Sequence, residues 1–242
     1  CHTLRLNGRE IQANFVIDAT GGSNPLSIEK SNGFHTRSRS IYAHFTGVAK
    51  WGEMHQDNHH PFKSHNAALH HLIDGGWMYV LHFDNGITSA GFVLDMEHHP
   101  LTDETPNEEW ARLIKNYSKI ATQFEQSKQV TPLIQTAQLQ HKSARCAGEN
   151  WAMLPNSAYF IDPLHSTGNA HTLYCIERLM KALKSGDSLM SYESLMFDEA
   201  SLIDDLVSGA YGVMSDFDSF ANIAMLYFAG ADFSERKRRA EG

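Results

Sequence analysis

Residues 151–179, WAMLPNSAYFIDPLHSTGNAHTLYCIERL, decide how this chain folds. An apolar run ends at Asp162-Pro163, a Ser-Thr-Gly segment follows, and apolar residues then recur at helical spacing. That order predicts a strand, a turn and a helix whose first turn leaves backbone N–H groups without intrahelical partners. Such a helix start carries partial positive charge and attracts an anion or the electron-rich edge of a cofactor. An ordinary βα connection has the same outline, so the rest of the chain must decide between the two.

Working outward, FVIDATGGS at 15–23 reads as a strand that delivers a small-residue turn, where backbone can approach a ligand with no Cβ in the way. Asn7-Gly8 between two apolar runs is a two-residue hairpin signal, and Asp84-Asn85-Gly86 marks a second tight turn. IYAHFTGVAKW (41–51), GGWMYVLHF (75–83) and GITSAGFVLD (86–95) predict an antiparallel sheet, to which 130–145 returns. Trp110, Leu113, Ile114, Tyr117, Ile120, Ala121 and Phe124 predict one amphipathic helix over 107–127, capped by Asn107 with Glu108 and Glu109 in its first turn. Further helices are predicted over 169–184, closing near Gly186, and over 188–207, followed by an aromatic-rich stretch to Phe233.

The segment F-I-D-P-L-x-S-T-G, with FVIDATGGS, IYAHFTGVAKW and HHLIDGGWMYVLHFDNGITSAGFVLD (70–95), resembles the FAD-dependent halogenases, within the flavoproteins built on the hydroxybenzoate-hydroxylase plan. These stretches cover most of 15–183. The resemblance implies an α/β fold with α+β character. A partial, Rossmann-like FAD-binding domain (1–23 and 146–186) is interleaved with an antiparallel-sheet substrate domain (24–145), and a C-terminal helical region (187–242) follows. The family's G-x-G-x-x-G turn, which holds the FAD pyrophosphate, is not found in the sequence, so the reading predicts a piece of a longer flavoprotein.

On the residues that match, the resemblance implies that Asp18, Thr20 and Gly21 of the D-A-T-G turn contact FAD. The same holds for Asp162, Pro163, Ser166, Thr167 and Gly168, with Thr167 and Gly168 nearest a halide, chloride or bromide. Where the family has Gly-Asp before the Asp-Pro turn, this chain has Pro155-Asn156; Asn156 can still hydrogen-bond a ribityl hydroxyl, but Pro155 removes an N–H and fixes φ. His165 stands where tryptophan halogenases carry Glu, and its imidazole is the candidate acid or base. The family's W-x-W-x-I-P reads Trp77-Met78-Tyr79-Val80-Leu81-His82 here, so only the first Trp survives, and Trp77 and Tyr79 are the candidate substrate contacts. The implied activity is a flavin-dependent oxidoreductase, halogenase- or monooxygenase-like, using reduced FAD and O₂ on a small organic substrate, with a separate flavin reductase as partner. A flavin-dependent dehydrogenase or reductase without halogenation, and a non-catalytic binding module, are the alternatives.

Composition narrows the field further. With 20 basic against 28 acidic residues the net charge is −8, which provides no electrostatic footprint for nucleic acid. No apolar run approaches the roughly 18 residues of a membrane span. Cys1, Cys146 and Cys175 form no C-x-x-C pair, which fits a reducing cytoplasmic setting and no disulfide framework. His55, His59, His60, His65, His70 and His71 invite a metal reading, with His55 and His59 at i, i+4. Asp57, Asn58 and Pro61 make that stretch a loop, and the expectation is no metal site. No G-x-S-x-G elbow supports a hydrolase.

Overall fold

A computed structural model describes residues 2–23, 25–26, 30–31, 33–55, 61–166 and 168–241, in two compact units. The first comprises Cys1–Thr36, Gln140–Gly209 and Ile223–Gly242; the second comprises Arg37–Leu139 and Ala210–Asn222. The architecture is mixed α/β, with antiparallel sheets and three long helices toward the C-terminus. Among the described residues no helix is long and apolar enough to cross a membrane.

In the first unit, His2–Leu6 and Arg9–Ala13 form the hairpin that Asn7-Gly8 predicts. Both turn residues adopt positive φ, 48° and 79°, which matches the right-handed twist of the flanking strands. Val16–Asp18 pairs in parallel with Trp151–Met153, and the latter pairs antiparallel with Ala147–Gly148. Each parallel strand runs straight into a short helical turn, Gly21–Ser23 in one case and Pro155–Ala158 in the other. Pro155 occupies the first helical position, where a missing N–H has no intrahelical partner to lose.

The Gly168–Ser185 helix follows the Asp-Pro turn, and Gly186 with φ of 73° closes it in a left-handed cap. Met190–Gly212 and Phe217–Glu241 are the remaining long helices, so the aromatic-rich stretch is helical apart from the turn at 213–216. Met153, Tyr159, Cys175, Leu179, Tyr192 and Met196 are central to the first core. The Tyr192 hydroxyl donates to the carbonyl of Met153 across 2.7 Å, so the strand and the Met190–Gly212 helix are held by a polar bond inside an apolar layer.

The second unit is built on an antiparallel sheet in the order Ile134–Gln135, Ser38–Thr46, Thr88–Asp95, Gly76–His82, Leu69–Ile73. One face buries Ile41, Phe45, Met78, Val80, Phe92 and Leu94 under two helices, Pro106–Asn116 and Ser118–Phe124. Trp110 stacks on Phe45 at 5.0 Å between ring centroids. The single helix predicted over 107–127 is therefore corrected to two, because Tyr117 takes an extended conformation (φ −122°, ψ 94°). Its N-cap is Thr105 and not Asn107: the Thr105 hydroxyl accepts from the amide of Glu108, whose carboxylate accepts from the amide of Thr105. Beneath this layer Arg39 and Glu109, both buried, form an ion pair at 2.5 Å. The carbonyls of His99 and Pro100 and the amide of Gln135 complete their hydrogen bonding.

The opposite face carries Tyr42, Tyr79, Trp77 and His70. Gly91 makes room there, since a Cβ on it would lie 2.5 Å from Tyr42 Cβ and 2.8 Å from the Tyr79 hydroxyl.

Candidate functional site

The D-A-T-G turn is organised from below by Asp18, which is only 3% exposed. One carboxylate oxygen accepts from the amide and the hydroxyl of Thr20 (2.9 and 2.8 Å), and the other accepts from the amide of Leu26 at 3.3 Å. Burial pushes this carboxyl upward, but the bonds from Thr20, Leu26 and Ser157 outweigh it and hold the group below its ordinary value. Asp18 is thus ionised and fully engaged in shaping the turn, while Thr20 and Gly22 are exposed above it.

Gly21 has φ of 67°, and no heavy atom lies within 4 Å of where a Cβ would stand. Its amide donates to the hydroxyl of Ser157 at 2.9 Å. Ser157 belongs to the Pro155–Ala158 turn, which touches both the Gly21–Ser23 turn and the Gly168–Ser185 helix. Two motifs far apart in the chain therefore share one neighbour, and Asn156 is the exposed residue of that neighbour.

The Asp-Pro segment is held at several points. Asp162 accepts from the amide of Leu164 at 3.0 Å, and the amide of Ser166 donates to the carbonyl of Pro163 at 3.0 Å. Gln140 donates to the carbonyl of Ile161 at 2.7 Å. Leu164 is buried, and His165, 7% exposed, stacks on Tyr227 at 4.2 Å with Phe228 edge-on at 5.8 Å. Ser166 takes the left-handed conformation (φ 55°), which turns the chain outward just before the helix. Gly168 is exposed, with nothing within 4 Å of a would-be Cβ. Thr167 lies outside the described residues, as do His59 and His60.

In the second unit Trp77 is 1% exposed and its indole N–H donates to the Tyr211 hydroxyl at 3.0 Å. His70 covers the ring at 4.5 Å. Trp77 is accordingly a fixed wall, and the half-buried Tyr79 is the more accessible of the two predicted substrate contacts. Burial, with the neighbouring His71, depresses His70 to about 4, and it raises the Tyr79 hydroxyl despite a bond from Ser89. Of the other predicted histidines, His55 and His71 pack on Trp51 at 4.2 and 4.7 Å, and His65 faces His82 at 6.5 Å. Two clusters among the described residues bring three possible metal donors together, His171–Cys175–Glu199 and His35–Asp204–Asp205, and neither uses that histidine run. The sequence gives no signal for Ser157 or Gln140, whose partners lie far away in the chain.

A sequence model described as tryptophan halogenase matches residues 2–220. The chain belongs to the tryptophan halogenase family. Among its halogenase relatives, the monodechloroaminopyrrolnitrin halogenase PrnC of Pseudomonas fluorescens is 31% identical over 229 residues, covering 87% of this chain and 40% of PrnC. The tetracycline 7-halogenase of Kitasatospora aureofaciens is 30% identical over 201 residues, 75% of this chain and 36% of the relative. The crystal structure of the halogenase PltM in complex with phloroglucinol and FAD superposes with a TM-score of 0.85 at 25% identity, over 94% of this chain and 49% of PltM. This halogenase-family chain thus spans less than half the length of each of these three relatives.

Proposed function

We propose that this chain supplies flavin- and substrate-contacting surfaces of a flavin-dependent halogenase, which uses reduced FAD and O₂ to place chloride or bromide on a small aromatic substrate. One observation carries the reading. Thr20, Gly22, Asn156 and Gly168 are exposed, on elements packed around the Pro155–Ala158 turn to which half-buried Gly21 is bonded through Ser157, and no heavy atom lies within 4 Å of a would-be Cβ on Gly21, Gly22 or Gly168. A flat ring system with a polyhydroxyl chain needs such a surface, with open backbone against the ring and an amide side chain for a hydroxyl. The residues present therefore fit FAD.

In this reading Asn156 binds a ribityl hydroxyl, and Thr20 and Gly21 border the cofactor. Ser166 and Gly168 present the positive end of an 18-residue helix to the flavin edge and a halide. Asp18, Asp162 and Pro163 shape the two turns. In the first unit His165 is the proton-transfer group, and in the second Tyr79, with Trp77 behind it, is the aromatic substrate contact. The bound flavin supplies the redox chemistry. Two of the relatives named above are a monodechloroaminopyrrolnitrin halogenase and a tetracycline 7-halogenase, and the PltM structure holds phloroglucinol; these support an aromatic substrate class. The reading includes a separate flavin reductase and a cytoplasmic location.

The test is to express the chain with any adjoining sequence its gene supplies, and to titrate FAD by fluorescence quenching with halide present or absent. Saturable FAD binding strengthened by chloride or bromide is the expected result. Binding indifferent to halide would favour the dehydrogenase reading, and no flavin binding would favour a binding module.

A further inference from the structure

Tyr159 and His171 flank the Asp-Pro segment, one residue before Phe160-Ile161 and one turn inside the helix that begins at Gly168. Their side chains are hydrogen-bonded to each other across twelve positions of sequence. Tyr159 is 4% exposed, with its ring in the apolar core against Phe34 and Phe197. Its hydroxyl also lies 3.4 Å from the carbonyl of Met196. On the other side of the imidazole, Nδ1 lies 3.6 Å from Glu199, which Arg178 grips through two bonds of 2.6 Å. A chain of contacts thus runs from Tyr159 through His171 and Glu199 to Arg178, linking both ends of the segment to the Met190–Gly212 helix.

His171, Cys175 and Glu199 also bring nitrogen, sulfur and oxygen donors within 4.8 Å of one another. Three arrangements argue against a metal ion there. The imidazole turns Nε2 toward Tyr159 and Cys175 but Nδ1 toward Glu199, so one ring nitrogen does not face both other donors. Both Glu199 oxygens are taken by Arg178, and a cation would have to displace a guanidinium that is itself only partly exposed. Burial holds the Cys175 thiol protonated, pushed up to about 12.

We infer that His171 is a positioning residue: by bridging Tyr159 and Glu199 it clamps the two ends of the segment between Tyr159 and His171 and presets where Ser166 and Gly168 meet a ligand. Neutral His171 accepts the Tyr159 O–H at Nε2 and directs its Nδ1–H at Glu199. This arrangement satisfies Nε2, faces the Nδ1–H toward the Glu199 carboxylate 3.6 Å away and leaves the hydroxyl a donor. The inference rests on the flavin reading only for the identity of the ligand; the clamp belongs to the chain itself.

Amide hydrogen exchange on the 242-residue chain, without FAD, tests the clamp. His171→Leu removes the bond to Tyr159 and the contact with Glu199, and exchange over 160–170 is expected to rise about tenfold while the 69–95 strands keep wild-type rates. Tyr159→Phe, which deletes one oxygen and is the gentler variant, should give the same local rise. His171→Gln, whose amide reaches the Tyr159 hydroxyl, should restore slow exchange. Unchanged exchange in both Tyr159→Phe and His171→Leu would overturn the inference, as would a failure of Gln to rescue. Stoichiometric Zn²⁺ binding by the wild-type chain, lost in Cys175→Ser, would also overturn it in favour of a metal site. A parallel FAD titration keeps the two readings apart: a loosened segment in a protein that never binds FAD would sink the flavin reading and leave the clamp standing.

Discussion

The amide of Gly21 donates to the hydroxyl of Ser157 across 2.9 Å, although 136 positions separate them. This bond joins the ends of two parallel strands, and with it the two turns that the candidate flavin surface requires. Ser157 is fully buried, so its loss would leave a donor without its partner and weaken the hold on Asp18. Ser157→Ala is expected to cost about 1–3 kcal/mol in denaturant unfolding. A change below about 0.5 kcal/mol would show that the turns are held by other means.

Gly21 and Gly168 are both uncrowded, but only Gly21 needs positive φ. Gly21→Ala should therefore destabilise the fold by about 1–2 kcal/mol through backbone strain. Gly168→Ala should leave stability unchanged or slightly raised, since alanine favours a helix, and yet weaken FAD binding by covering the helix start. Equal stability losses in the two variants, with equal FAD affinity, would contradict the assignment of Gly168 to the cofactor surface.

Acid should loosen the second unit. Burial holds His70 at about 4 against an ordinary value near 6.5, so the unfolded chain binds the proton first as pH falls. The stability this imidazole contributes is fully present above pH 6.5 and is lost between there and about 4, to the order of 3 kcal/mol. His71 and His82 are shifted in the same direction, also chiefly by burial, and add to the effect. His70→Phe keeps a ring against Trp77 and should flatten the melting temperature between pH 6.5 and 4; an unaltered slope would place the acid sensitivity elsewhere.

His165→Phe preserves the ring that stacks on Tyr227 while removing both nitrogens. If His165 moves a proton in the reaction, turnover in the complete enzyme falls about 10²–10⁴-fold with little change in melting temperature. Turnover within twofold of wild type would confine His165 to packing.

Local chemistry was legible in the sequence where a few adjacent residues determine the outcome. Asn7-Gly8 announces its hairpin because both positions need positive φ, and the Asp-Pro-Leu-His-Ser-Thr-Gly order announces the helix that starts at Gly168. Periodicity, by contrast, runs straight through Tyr117, so the break between the two helices under the sheet is invisible to it. The Thr105-x-x-Glu108 pattern lay in view, but the acidic pair behind Asn107 suggested the wrong cap. Trp77 matched the family's aromatic position, yet its burial depends on Tyr211, 134 positions away. The cofactor surface splits in the same way: its exposed glycines are readable from motifs, while Ser157 and Gln140, which hold them in place, are contacts that only the folded chain brings together.

The proposed reaction is halogenation on a flavin surface formed in part by this chain. The direct measurement incubates the complete protein with a flavin reductase, FAD, O₂, bromide and a panel of phenols and pyrroles, followed by mass spectrometry of the products. A product with bromine's paired isotope masses, requiring FAD and bromide together and lost with Gly168→Val, is expected. Oxygenated or dehydrogenated products that form equally well without halide would contradict it.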